Sequence, residues 1–269
     1  MRLTLGWVGT FVRAASVVLL CVAAVGCGQQ SMEASLYATV PGQSPTAPGR
    51  LVTLDIHGIN KVTTTIVGSM DLPACASLAR SAAGVMYSVC GPGILKPDLP
   101  QQLATVDLKT GHATAVGKEF QGLQVMALEF APDGTLYAVC DANPASPTFN
   151  SLYTVNVTTG EMTRVGSTEV PAPEFFMDFA FDRNGTMYGA SSHALFTLDR
   201  KTGTATKVVD FVGGGDIMGL SYDAKQNRLY ASDWKMPLSA LYLVDIQTGF
   251  LTPVASIGYP LSHSLISTN

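Results

Sequence analysis

The chain has 269 residues, of which 47% are hydrophobic and 13% are charged. This composition supports a large buried core and excludes an intrinsically disordered chain. The net charge of -4 comes without any cluster of Lys and Arg, so nothing in the sequence can neutralise a row of phosphates. DNA and RNA are therefore excluded as main partners.

The N-terminal segment is typical of a secretory leader. Arg2 and Arg13 precede an apolar run over residues 14–26. The next residue completes Ala24-Val25-Gly26-Cys27, which resembles the bacterial lipobox, so Cys27 is predicted to be lipidated and to form the mature N-terminus. Two alternatives stay open: an ordinary cleaved signal, and an uncleaved anchor helix.

All three interpretations place the remaining chain outside the cytoplasm, facing the periplasm, on the cell surface or secreted. They also limit its contact with the membrane to the N-terminal lipid or anchor. Residues 28–34 are predicted to be a polar tether, and residues 35–269 a single domain.

The domain contains a repeat that begins Leu-x-x-[Leu/Val]-[Asp/Asn]. Five copies start 43 to 52 residues apart, at Leu51, Leu103, Leu152, Leu195 and Leu241. Four copies continue into Thr-Gly, at Thr110-Gly111, Thr159-Gly160, Thr202-Gly203 and Thr248-Gly249. An Asp or Asn that accepts a backbone bond two residues on, followed by a Gly with positive φ, predicts a tight hairpin. The first copy departs from this pattern at His57 and Gly58.

The other half of each repeat is an apolar strand, a turn and a Leu-Tyr or Met-Tyr pair, as in Leu136-Tyr137. Each unit therefore predicts four short antiparallel strands, the blade of a β-propeller. Pro253 lies in the last outer strand, where it is tolerated only at the edge of the sheet.

The number of blades follows from how the ring closes. The domain begins at a second strand, Leu36-Tyr37, and ends at a first strand over residues 264–266. The C-terminal strand is thus predicted to complete the N-terminal blade, which protects both sheet ends and gives an all-β, five-bladed propeller. The alternative is an open solenoid of four and a half blades.

Two segments carry a family resemblance. Residues 130–137 and 152–160 resemble bacterial extracytoplasmic propeller repeats related to the YVTN, NHL and quinoprotein-like superfamilies. The resemblance implies the propeller architecture, and its members include binding scaffolds, lactonases, lyases and glycosidases. The Trp residues that mark quinoprotein repeats are missing, since Trp234 is the only Trp outside the leader. A quinone cofactor is therefore not expected.

Cys75 and Cys90 face each other if Ala82 and Ala83 form the tip of a hairpin. A cross-strand disulfide is then geometrically allowed in an oxidising compartment. The alternative is two small buried hydrophobic residues. Cys140 occupies the repeat position of Cys90 and is left as an odd thiol.

The loops between blades, together with those between second and third strands, are expected to form the ligand face. Their acids are Asp71, Glu119, Glu169, Glu174, Asp178 and Asp216. Convergence of Glu119, Glu174, Asp178 and Asp216 on the channel mouth would create paired catalytic carboxylates or a Ca²⁺ site. The alternative is solvated loop charge. The candidate binding residues are Asp71, Glu129, Asp178, His193, Trp234 and His263.

No nucleophile elbow, phosphate loop or metal-ligand spacing of His and Cys occurs in the sequence. The favoured function is therefore a monomeric, non-enzymatic module that binds a protein or a glycan through the ligand face. The alternative is a hydrolase or lyase that uses the carboxylates. No metal site is assigned from motifs, and Ca²⁺ is the one cofactor that the acids would suit.

Overall fold

The structure, a computed structural model, describes residues 32–42, 44, 46–94, 96–141, 143–260 and 265–268. Cys27 and His263 lie outside these residues. The described residues form β-strands and one 3-10 turn at Pro92–Ile94, without any α-helix. None of their helical turns is long and apolar enough to cross a membrane.

The strands form five antiparallel sheets of four strands each. From the inner to the outer strand, blade 1 contains β20 (Leu265–Ser267), β1 (Glu33–Val40), β2 (Pro48–His57) and β3 (Val62–Pro73). Blade 2 contains β4 (Leu78–Arg80), β5 (Met86–Cys90), β6 (Gln101–Val106) and β7 (Ala113–Phe120). Blade 3 contains β8 (Val125–Phe130), β9 (Leu136–Cys140), β10 (Ser151–Val155) and β11 (Met162–Ser167). Blade 4 contains β12 (Asp178–Phe181), β13 (Met187–Ala190), β14 (Ala194–Leu198) and β15 (Ala205–Asp210). Blade 5 contains β16 (Asp216–Asp223), β17 (Arg228–Trp234), β18 (Ala240–Val244) and β19 (Leu251–Ser256).

The ring closes as predicted. β20 pairs antiparallel with β1, with Tyr37 opposite Ile266. Each inner strand contacts the inner strands of both neighbouring blades, so the five of them surround a central channel. The chain is thus a five-bladed β-propeller, and β19, which holds Pro253, is an outer edge strand. β1 begins at Glu33, so Glu33 and Ala34 belong to the sheet rather than to the predicted tether.

The repeated Asp-x-x-Thr-Gly turns have the predicted chemistry. In blade 2, Asp107 Oδ1 accepts the backbone N–H groups of Lys109 at 2.7 Å and Thr110 at 3.0 Å. Gly111 then adopts a φ of 79°, in the left-handed region. The same three features recur in the turns of blades 3, 4 and 5.

These turns also join neighbouring blades. Each packs against the outer strand of the preceding blade, at a glycine in three cases. A Cβ atom on Gly117 would lie 2.0 Å from the carbonyl oxygen of Thr159, and one on Gly166 would lie 1.9 Å from that of Thr202. Gly68 and Thr110 repeat this arrangement at 1.9 Å. The two motifs of the repeat therefore meet across a seam between blades, where only glycine leaves room.

Cys75 and Cys90 are joined by a disulfide, but the hairpin register differs from the expected one. β4 pairs with β5 one residue out of the predicted register, with Leu78 opposite Ser88, because the turn contains an extra residue at Gly84, with a φ of 83°. Ala76 N–H donates to the Val89 carbonyl at 3.1 Å, which restores the predicted offset before Cys75. The pairing thus depends on an irregularity between Ala76 and Leu78.

Candidate functional site

The loop face carries the loops between blades and those between second and third strands. On it, His193 lies between two carboxylates. Its Nδ1 is 3.0 Å from Glu174 Oε1, and its Nε2 is 3.7 Å from Asp216 Oδ1. Glu174 and His193 come from two different loops and Asp216 from the first position of β16, and the imidazole ring is 68% exposed. The structure thus brings together three of the predicted site residues.

Trp234 continues this cluster. Asp216 and Trp234 are directly opposite each other on β16 and β17, and opposite residues of a pair project from the same side of a sheet. Trp234 is 39% exposed, and its loop also exposes Met236 and Leu238, at 65% and 44%. Large apolar side chains this close together on a surface indicate an interaction site.

A groove of about 600 Å³ opens beside Trp234, at the seam between blades 5 and 1. We call it the seam groove. Its walls include Pro41, Pro48, Arg50, Trp234, Met236 and Tyr259. Among the described residues that line it, the side chains are apolar apart from the Arg50 guanidinium, the Tyr259 hydroxyl and the Trp234 indole N–H. This combination of Trp, Tyr and Arg is typical of the residues that dominate binding energy in protein interfaces.

The loop that carries Trp234 is held at its base by Asp233, which is 1% exposed. Asp233 Oδ1 accepts the Ala240 N–H at 2.6 Å, and Oδ2 accepts the Tyr242 hydroxyl at 2.9 Å. Burial and this bond raise the pKa of Tyr242 to about 12, so the hydroxyl stays a donor. The apolar loop is therefore presented on a fixed base.

Asp178 lies inside the channel, and its carboxylate joins three inner strands. Oδ1 accepts the Phe179 N–H at 3.0 Å, while Oδ2 accepts those of Leu220 at 2.8 Å and Leu265 at 3.4 Å. Burial raises the pKa of Asp178, and the three donors oppose that shift. With its oxygens occupied by the backbone, Asp178 has a structural role.

Glu129 also lies in the channel, at the end opposite the loop face. It is 8% exposed and lines a cavity of about 430 Å³ formed by the hairpins between first and second strands. Its Oε1 accepts the Phe130 N–H at 3.0 Å. Burial, and then the negative charge of Asp178, raise the pKa of Glu129 well above its ordinary value. Of the two acids, Glu129 is thus the one suited to hold a proton.

Asp71 and Glu119 do not reach the channel mouth. Both belong to outer strands, β3 and β7, which lie at the rim of the propeller because they are fourth in their sheets. Asp71 contacts His112 of the next blade at 2.8 Å, and hydrogen bonds from Ser69 and His112 lower its pKa. Glu119 lines a separate groove at the rim, between blades 2 and 3. The expected convergence of acids is therefore limited to Glu174 and Asp216.

The sequence reasoning missed Arg50, Met236 and Tyr259, which form the seam groove with Trp234. Met236 carried a usable signal, because it lies in an apolar stretch of a predicted loop. Arg50 and Tyr259 carried none, since they come from opposite ends of the domain and meet only when the ring closes. Among the residues that the structure describes, no group of three or more His, Cys, Asp or Glu is arranged to hold a metal ion.

No protein family matches this sequence, and no curated protein matches it either. Several solved structures share the fold. A chain of a nidogen/laminin complex has a TM-score of 0.55 and 11% identity, over 88% of this chain and 98% of that one. A protein of unknown function from Bacteroides caccae has a TM-score of 0.53 and 11% identity, over 87% and 98%. TolB from Acinetobacter baumannii has a TM-score of 0.51 and 16% identity, over 82% of this chain and 53% of TolB. Similarity at these identities shows the fold alone.

Proposed function

We propose that this propeller is a binding module that holds an extended segment of a protein partner in the seam groove. The observation that carries the proposal is the exposed apolar loop at Trp234, Met236 and Leu238, of which Trp234 and Met236 line a concave surface. A groove of about 600 Å³ falls within the range of sites that hold ligands or short chain segments.

The charges around the groove indicate the chemistry of the partner. Arg50 lines the groove, and Lys235 lies exposed in the Trp234 loop, so a carboxylate of the partner would be stabilised there. On the other side of Trp234, outside the lining of the groove, the carboxylates of Glu174 and Asp216 favour a basic residue of the partner. The partner segment thus has an apolar or proline-containing centre, an acidic residue near Arg50 and a basic residue near Asp216.

A protein fits the groove better than a glycan does. None of the described residues in its lining has a carboxylate or amide side chain, which are groups that hydrogen-bond sugar hydroxyls. Prolines and aromatic rings instead suit an extended, proline-containing peptide. Binding of a glycan in the groove is the alternative, and the test below includes it.

The test is selection from a peptide library displayed on phage, with a glycan array in parallel. Wild type is expected to enrich peptides with the charge order described above, and Trp234→Ala to lose them. Phe250→Ala is the matched control, because Phe250 is 51% exposed and lies at a hairpin turn, outside the groove. Glycan binding that depends on Trp234, or enrichment that survives Trp234→Ala, would contradict the proposal.

The module is proposed to act outside the cytoplasm as a lipoprotein, on the basis of the leader and its Cys27. Metabolic labelling with a palmitate analogue should mark the wild type and not Cys27→Ala. Labelling of neither protein, with a cleaved mature chain in the medium, would support the ordinary signal instead.

Enzymatic hydrolysis is the second candidate, favoured by Glu174 and Asp216 on either side of His193. Two carboxylates on either side of one imidazole ring resemble the carboxylate pairs of glycosidases, which lie about 5 to 10 Å apart. Turnover of a glycoside or lactone that is lost in Glu174→Gln and His193→Gln would support it. A melting temperature that Ca²⁺ raises and a chelator lowers would support a bound Ca²⁺ ion as part of this second candidate function.

A further inference from the structure

The hairpin face is the end of the propeller formed by the turns between first and second strands. The cavity at its centre has Glu129 in its lining, together with Arg80, Arg183, Tyr222 and the rings of Phe130 and Phe181. Its volume of about 430 Å³ suits a small molecule. It lies at the other end of the channel from the loop face and is independent of the seam groove.

Within the described part of the chain, the two guanidinium groups of this cavity lack acidic partners. Neither Arg80 nor Arg183 forms an ion pair with a carboxylate among the described residues. Arg80 donates one bond to the Thr268 carbonyl at 2.6 Å, but its Nε is buried without a partner. Arg183 reaches only the Tyr222 hydroxyl at 3.3 Å and the Ala224 carbonyl at 3.4 Å. A buried donor without an acceptor is costly, so a ligand that accepts from Arg80 Nε is favoured.

Two acids, Asp182 and Glu129, also line the cavity. Asp182 Oδ1 accepts the N–H groups of Asn184 at 2.9 Å and Thr186 at 2.8 Å, so it is engaged in its own turn. Glu129 is buried, and burial raises the pKa of its carboxyl group, which favours the protonated form that can donate a hydrogen bond. Its one hydrogen bond uses Oε1 and leaves Oε2 for a ligand.

We propose that this cavity binds a small organic carboxylate with a flat apolar body. The carboxylate accepts from the guanidinium groups of Arg80 and Arg183, since planar guanidinium and carboxylate groups match in geometry. The apolar body lies against Phe130 and Phe181, and the Glu129 carboxyl donates to a ligand oxygen. This site is separate from the proposed protein-binding groove on the loop face.

The experiment is a calorimetric titration of the purified mature domain with benzoate, with benzamide as its neutral isostere. We expect benzoate to bind with a Kd of roughly 1 mM, as suits nine heavy atoms. Benzamide should bind at least tenfold more weakly. No benzoate binding at 20-fold the expected Kd, or equal binding of both compounds, would overturn the proposal.

Arg183→Gln locates the binding, because Arg183 is exposed and its loss should leave the fold intact. It should weaken benzoate at least fivefold, whereas Arg164→Gln, on the outer strand β11, should change the affinity less than twofold. An unchanged affinity in Arg183→Gln would place the anion elsewhere and refute the site. If inorganic phosphate bound as well as benzoate, with the same dependence on Arg183, the ligand would not need the proposed flat apolar body.

Glu129→Gln keeps a neutral donor and should retain benzoate affinity within about threefold, whereas Glu129→Met should lose most of it. The Nε–H signal of Arg80, followed by NMR in the wild type, should shift on titration with benzoate. Equal affinity in Gln and Met variants that both melt cooperatively would remove Glu129 from the site.

Discussion

The seams between successive blades differ from the seam that closes the ring. Between blades 2 and 3 and between blades 3 and 4, a Thr-Gly turn packs on a glycine of the preceding outer strand, at distances that exclude a side chain. At the closing seam the turn is His57-Gly58-Ile59-Asn60 instead, and Asn60 N–H donates to the Val254 carbonyl at 2.6 Å.

The closing seam is also joined by side chains. Leu36, Val52 and Leu54 of blade 1 pack with Leu241 and Val254 of blade 5 in one apolar cluster. The seam between blades 2 and 3 opens into a groove at the rim that is lined by the charged Lys118, Glu119 and Glu161, whereas the closing seam opens into the seam groove beside Trp234 and Met236. Repetition therefore builds the scaffold, and the irregular closing junction places the exposed Trp234 and Met236 in a groove.

The largest effect should come from breaking the closing seam. A chain that stops after residue 264 lacks β20, and so leaves Tyr37 without its partner strand and removes the buried Leu265 and Ile266. We expect the free energy of unfolding in urea to fall by roughly 3 to 6 kcal/mol, from the lost burial of two large side chains. A chain that stops after residue 267 keeps β20 and is the control. Equal stability of the two chains would show that β20 does not close the ring.

A regular seam is tested by Gly117→Ala, with Gly122→Ala as its matched control. Both glycines have positive φ, of 69° and 79°, but only Gly117 lies against the next blade, and nothing lies within 4 Å of a Cβ on Gly122. The backbone strain should cost about 1 kcal/mol in both variants, and the clash with Thr159 should add about 2 kcal/mol in Gly117→Ala. Identical urea midpoints would mean that the seam has more space than the structure shows.

The disulfide strengthens the connection between blades 1 and 2, since Cys75 lies between β3 and β4. Replacing both Cys75 and Cys90 by Ser should lower the free energy of unfolding by about 2 to 3 kcal/mol, as expected for a separation of 15 residues. A reducing agent should lower the melting temperature of the wild type and leave the double variant unchanged. Cys140→Ala should still melt at a lower temperature when it is reduced. A variant Cys140→Ala that no longer responded to reduction would show that Cys140 takes part in the disulfide.

The smallest effect concerns the channel. The folded pKa of Glu129 is raised by burial, so the folded chain keeps a proton that the unfolded chain loses above pH about 4.3. The contribution of Glu129 to stability should therefore be greatest below that pH and fall as the pH rises toward the folded pKa, by at most about 1.4 kcal/mol per pH unit. Urea unfolding at pH 4.5 to 7 should show a shallower slope for Glu129→Gln than for the wild type. Glu161→Gln, at an exposed turn, should keep the wild-type slope, and a slope unchanged in Glu129→Gln would contradict the assignment.

The fold was predictable because its determinants are local and repeated. The hydrogen bonds that Asp107 accepts from Lys109 and Thr110, and the positive φ of Gly111, can be predicted from five consecutive residues. The first repeat of the domain lacks its first strand and the last repeat consists of a first strand alone, so the two complete one blade when β20 pairs with β1. The hairpin register at Cys75 differed because an extra turn residue leaves no trace in the alternation of side chains, and β1 begins at Glu33, inside the predicted tether.

The site was only partly predictable, because its contacts cross the seams. Glu174, His193 and Asp216 were identified from the sequence as candidate site residues. The contacts of both carboxylates with the imidazole ring depend on the tertiary structure, which the sequence pattern does not give. Asp71 was placed on the loop face by its position between blades, yet it belongs to a strand that extends to the rim and contacts His112. Arg50 and Tyr259 became neighbours of Trp234 only through ring closure.

The most direct test of the proposed binding role is site-specific photo-crosslinking in cells that display the full chain. A benzophenone amino acid replaces Met236 in the seam groove or, as the control, Phe250 at its exposed hairpin turn. We predict one discrete protein adduct from position 236, whose crosslinked peptide contains an acidic residue and apolar or proline residues, and no such adduct from position 250. The same adducts from both positions, or none from position 236, would contradict a protein-binding groove at the closing seam.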